Sequence, residues 1–138
     1  MSAAEFLDTN ILVYAYDASD PKKQSIAQDL TRRALASEFV ISVQVLSEFA
    51  SAMLHKASPP ATAEQLTAIL DALAPIKTIS PDSETVLRAV AAHQAYGLPF
   101  YDAMIIAAAE RAGSKRIWSE DLNPGQEYLG IKVENPFT

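Results

Sequence analysis

Two hydrophobic rhythms share the chain. Short segments with a run or alternation of apolar residues fall at 4–7, 39–41, 76–79, 116–118 and 131–133, the signature of strands in a largely buried sheet. Between them, apolar positions recur every three or four residues, as on one face of a helix. Residues 10–17 read as a short helical turn. Asp20 and Pro21 then form the N-cap and first position of a helix reaching about residue 37. Ser42 can cap a helix whose Val45, Leu46, Phe49 and Met53 share one face and which must stop before Pro59-Pro60. Thr62 and Gln65 fit a capping box ahead of Leu66, Ile69, Leu70 and Leu73. Residues 81–95 make a further helix closed by Gly97, with Pro99 as a stop. The segment 101–112 contains seven consecutive apolar residues, 103–109, and should be buried on nearly all sides before Gly113 ends it. Strands alternating with helices predict an α/β fold around a mainly parallel sheet covered on both faces, with 131–133 as its last edge strand.

A chain of 138 residues without repeat or linker predicts one domain spanning 1–138, large enough to bury a core unaided. The start lacks the basic-then-apolar pattern of a signal peptide, and no eighteen-residue apolar run follows, so the expectation is cytoplasmic, with no membrane partner. With no cysteine and only two histidines, any metal must rest on oxygen ligands, which favours hard cations over zinc or copper. The net charge of −6 argues against a simple groove for a polyanion. Two divalent cations held by four of the acids would bring it to −2.

Four acids stand out by position. Asp8 ends the first strand, Asp121 lies just beyond the fourth, and Asp102 opens the buried helix. In an open parallel sheet the ligand crevice lies outside the carboxyl ends of the strands, so these three should gather at one rim. Glu48 sits about 100° from Phe49 on its helix, at the border of the apolar stripe. Carboxylates at ~4 Å repel by ~4 kcal/mol per pair at an effective dielectric of 20, so such a cluster needs protons or metal. With divalent cations it suits in-line phosphoryl displacement. Each acid also has a structural reading: Asp8 as a cap, Asp102 as a charge at a helix N-terminus, Asp121 as a turn residue. Glu48 on a mostly apolar helix is harder to explain that way. A phosphoryl-acceptor role for Asp8 is a weak rival. A haloacid-dehalogenase-like phosphatase wants an acid at position 10, which is Asn10, and a receiver domain wants a lysine after a late strand, which is lacking.

The stretches FLDTNILVYAYD, VISVQVLSEFASAM, LPFYDAMIIAAAERAG and IWSEDLNPGQEYLGIKVENPF cover most of the chain in order. Together they resemble the PIN-domain family, and within it the VapC-type toxins of toxin–antitoxin pairs. The resemblance implies a three-layer α/β/α sandwich and a magnesium- or manganese-dependent endoribonuclease that cuts single-stranded RNA regions with metal-activated water, leaving a 5′-phosphate and a 3′-hydroxyl. By similarity Asp8, Glu48 and Asp102 are the leading metal ligands and Asp121 completes the catalytic set, while Asn10 and Ser119 orient ligands or substrate phosphate. A homodimer and a cognate antitoxin whose tail enters the cleft are the implied partners. The alternative is a catalytically weak PIN-like module that binds RNA or protein. Lys22 and Lys23, beside the loop of the first acid, are the first candidates for RNA phosphate contacts, although solvated surface explains them equally well. Tyr14, Tyr16, Phe100 and Tyr101 flank site acids and can stack on bases or pack in the core. His55 reads as a surface or packing residue. The RNA target is not encoded in these shared motifs.

Overall fold

The computed structural model describes residues 3–138. In chain order the elements are β1 (Glu5–Leu7), α1 (Thr9–Tyr16), α2 (Pro21–Leu35), β2 (Phe39–Ser42), α3 (Val43–His55), α4 (Ala63–Leu73), β3 (Lys77–Ile79), α5 (Ser83–Tyr96), α6 (Phe100–Arg111), β4 (Arg116–Trp118), β5 (Glu127–Tyr128) and β6 (Ile131–Glu134).

The helix starts follow from local chemistry. Asp20 accepts the Lys23 N–H with Pro21 in the first turn, and Ser42 accepts the Val45 N–H. Thr62 and Gln65 close both arms of the capping box that opens α4. Each cap satisfies an N–H that has no partner inside its own helix. Asp82 does the same for α5, which ends at Gly97 with φ 69°, a left-handed conformation that costs glycine nothing. The expected short turn after β1 is a full helix of eight residues, capped by Asp8.

The sheet order is β3-β2-β1-β4-β6-β5. All neighbouring pairs are parallel except β5 with β6. Two helices link β1 to β2 and two more link β2 to β3, all stepping one way. The link from β3 to β4 through α5 and α6 returns across both β2 and β1. With right-handed crossovers, opposite steps place the helices on opposite faces, giving the three layers expected. The order reverses between β1 and β4, so their carboxyl ends open a crevice.

One expectation fails at the sheet margin. The segment at 131–133 is not the edge: β6 lies between β4 and β5, and β5 is the outermost strand. That strand is only two residues long, too short to show periodicity. The turn joining it to β6 places Leu129 at φ 52° and Gly130 at φ 77°, the backbone of a tight hairpin without the usual asparagine at its first position.

Phe6, Leu7, Ile41, Ile117 and Val133 from the strands are buried with Ile11, Leu12 and Phe49 on one set of helices and Ile105, Ile106 and Ala108 on α6. The apolar run of α6 is buried almost without interruption, as its composition demands. Among the described residues no helix is long and apolar enough to cross a membrane.

Candidate active site

Asp8 is the first residue past β1, and the carboxyl end of that strand fixes its place at the crevice. It is buried, with one oxygen accepting the Thr9 N–H at 2.7 Å and the other the Ser119 hydroxyl at 2.7 Å. Ser119 follows β4, so this bond joins the two strands at which the order reverses. The Ser119 oxygen in turn accepts the N–H groups of Asp121 and Leu122 at 3.2 and 3.3 Å, shaping the loop that carries the fourth acid. Asn10 reaches the same loop twice, donating to Asp121 Oδ2 at 3.0 Å and accepting the Glu120 N–H at 3.2 Å.

Glu48 arrives from α3 and is held at both oxygens. Thr9 Oγ1 donates to one at 2.9 Å, and Gln44 Nε2, one helical turn earlier, donates to the other at 3.0 Å. The same Gln44 nitrogen lies 2.9 Å from the Tyr101 carbonyl oxygen, tying α3 to the first turn of α6. Asp102 stands in that first turn, half-buried, and its carboxylate has no hydrogen-bond partner among the described residues.

All four acids line one cleft of about 520 Å³, together with Thr9, Asn10, Tyr14, Asp17, Glu120 and Lys56 among others. Its electrostatics show the strain of gathering them. Burial pushes the Asp8 carboxyl up from 3.8 to about 6, opposed by its bonds from Ser119 and Thr9 and reinforced by the charges of Asp121 and Asp102. Burial also raises Asp102, helped by Asp121 and Glu48.

This donor set is all oxygen and mostly carboxylate, the chemistry a magnesium or manganese ion takes. The unpartnered, half-buried Asp102 is the group most in need of a cation. As they stand, no three acid or histidine side chains among the described residues form a closed ligand set. Asp8, Glu48 and Asp121 are instead turned toward Ser119, Thr9, Gln44 and Asn10.

A family model for the PIN domain matches residues 6–125. The chain belongs to the PIN-domain family. Solved structures share the fold over nearly the whole length. A toxin–antitoxin complex from Klebsiella pneumoniae matches with a TM-score of 0.69 at 23% identity, covering 97% of this chain and 98% of that one. VapBC2 from Rickettsia felis, bound to a DNA fragment from its promoter, gives 0.67 at 19%, covering 96% and 98%. VapC20 of Mycobacterium tuberculosis, described as a sarcin–ricin loop cleaving toxin, gives 0.66 at 14%, covering 93% and 98%. Identities this low speak for the fold alone. No curated protein matches the chain.

In this PIN domain the six positions singled out from sequence, Asp8, Asn10, Glu48, Asp102, Ser119 and Asp121, come together in or directly beneath one cleft. Lys22 is exposed and does not line it. Lys23 reaches the rim but forms an ion pair with Glu120, which also accepts the Tyr14 hydroxyl at 2.6 Å. Its ammonium lies 5.0 Å from the centre of the Tyr14 ring. His55 is exposed on the surface. Sequence reasoning missed Thr9, Gln44 and Glu120. Gln44 had a legible signal, since a residue four before Glu48 lies on the same helical face. Thr9 and Glu120 had none beyond being flanked by site residues.

Proposed function

We propose that this PIN domain is a magnesium- or manganese-dependent endoribonuclease that cuts single-stranded regions of RNA, acting as the toxin of a toxin–antitoxin pair. The observation that carries this reading is Asp102: a half-buried carboxylate without a hydrogen-bond partner among the described residues, facing the charges of Asp121 and Glu48 in a cleft that Asp8 also lines. Asp8, Glu48 and Asp102 are the leading ligands in this reading and Asp121 completes the site. Held by these residues, a hard divalent cation would supply water activation and would offset charge on the phosphate being cut.

The chain's own residues prepare that chemistry. Thr9 and Gln44 fix both oxygens of Glu48, so its carboxylate is held in place before substrate arrives. Ser119 orients Asp8 and the Asp121 loop through a single hydroxyl, and Asn10 holds Asp121. The buried wall around Asp8 lowers the local dielectric and strengthens every charge interaction at the reacting phosphate.

Relatives of this fold described as toxin–antitoxin complexes support an antitoxin as the partner. The excess of carboxylates in the cleft suits a cationic segment of such a protein. A homodimer of one-domain chains, residues 1–138, resident in the cytoplasm, belongs to the same reading.

The test is cleavage of a mixed pool of structured and unstructured RNA with magnesium, manganese or chelator, comparing the purified chain with Asp102→Asn. Metal-dependent cutting, lost in the variant, is the expected result. A folded, antitoxin-free chain that cuts nothing with either metal overturns the nuclease reading in favour of a binding module.

A further inference from the structure

Among the described residues, six carboxylates line the cleft, from Asp8, Asp17, Glu48, Asp102, Glu120 and Asp121, against a single cation, Lys56. That lopsidedness poses a problem for any polyanionic substrate. A cation bound among the acids answers it only at the phosphate being cut, while the neighbouring phosphates still meet a negative wall.

The other basic residues do not relieve this. Lys23 is paired with Glu120, and the arginines at 32, 33, 88, 111 and 116 all pair with acids elsewhere on the surface, as does Lys132. Lys22, Lys56, Lys77 and Lys115 have no ion-pair partner among the described residues. Lys77 begins β3 and Lys115 immediately precedes β4, so both sit at the amino ends of parallel strands, opposite the crevice. Lys22 does not line the cleft. Among the described residues, Lys56 alone is unpaired and at the site.

Its position is set by α3. Lys56 is the C-cap of that helix, its N–H bonded to the Ala52 carbonyl at 2.7 Å, and its side chain is exposed at the cleft with Ser51 and Ala52. Glu48 lies eight residues earlier, about 12 Å along the axis at 1.5 Å per residue. The lysine therefore stands away from the clustered acids along the cleft wall.

Resting on the nuclease reading above, we infer that Lys56 is a substrate-positioning residue that holds a backbone phosphate flanking the one cut at the carboxylates. It takes no part in the chemical step. The contact is with the phosphate alone, so it carries affinity and strand register and reads no base. It adds one favourable phosphate contact to a chain whose net charge is −6.

The experiment follows cleavage of a single-stranded RNA in magnesium by wild type, Lys56→Gln and Lys56→Arg at several salt concentrations. Lys56→Gln should raise KM about 3- to 10-fold near 0.1 M salt with kcat unchanged, as expected for one exposed charge contact. The slope of log(kcat/KM) against log salt should flatten by about 0.7, the value for one phosphate contact to a single strand. Lys56→Arg should restore both, which a merely structural role at the helix end would not require. Unchanged KM and slope in Lys56→Gln, or a fall in kcat alone, overturns the inference while the nuclease stands. Wild type that cuts no RNA overturns both.

Discussion

Replacing Asp8 with asparagine should make the metal-free protein more stable at neutral pH, although it removes a group at the centre of the site. The buried Asp8 carboxyl titrates near 6 in the folded chain, against an ordinary value of 3.8. A carboxyl raised by folding favours the folded state while it is protonated. That contribution is complete below the unfolded value and is lost as pH rises through 6. At pH 7 the two-unit gap corresponds to about 3 kcal/mol of lost stability. Asparagine removes this penalty and can still accept the Thr9 N–H. Its amide faces the Ser119 hydroxyl, which already accepts two backbone N–H groups, so about 1 kcal/mol of hydrogen bonding is lost. The net expectation is a gain of about 2 kcal/mol at pH 7 and a loss of about 1 kcal/mol near pH 4, so the two stability curves cross. Urea unfolding with chelator between pH 4 and 8 measures this, and the difference between the proteins cancels groups that titrate alike in both. Magnesium at pH 7 should then stabilise wild type and leave Asp8→Asn almost unchanged. Parallel curves across the whole range would refute the claim that Asp8 is buried as a strained anion.

Thr9→Val keeps the shape of the side chain but releases one oxygen of Glu48, so metal-dependent cleavage should fall about 10- to 100-fold while the circular dichroism spectrum stays unchanged. Thr62→Ala breaks the capping box of α4, none of whose residues lines the cleft, and should cost about 1 kcal/mol in urea unfolding with no change in cleavage rate.

The elements were legible because each is dictated locally. Asp20-Pro21, Ser42 and Thr62 with Gln65 start their helices by satisfying nearby N–H groups, and Gly97 ends one by tolerating a positive φ. The unbroken apolar run of α6 could be stable only if buried. The hairpin that makes β5 the edge was not legible. Its strand spans two residues, and Leu129 takes a left-handed conformation that its side chain gives no reason to expect.

The acids of the site lie at strand ends and a helix start, positions that a parallel α/β order brings to one crevice whatever the details of packing, so Asp8, Asp102 and Asp121 were accessible from sequence alone. What surrounds them was decided by the tertiary structure. Thr9 finds Glu48 39 positions away, and Ser119 finds Asp8 111 positions away. Lys23 is taken up by Glu120 while Lys56 faces the cleft. Pairings of this kind depend on which long side chains reach each other once the sheet has closed, and on which charges are left without a partner. Neither is written in periodicity, because periodicity records only which face of an element is buried.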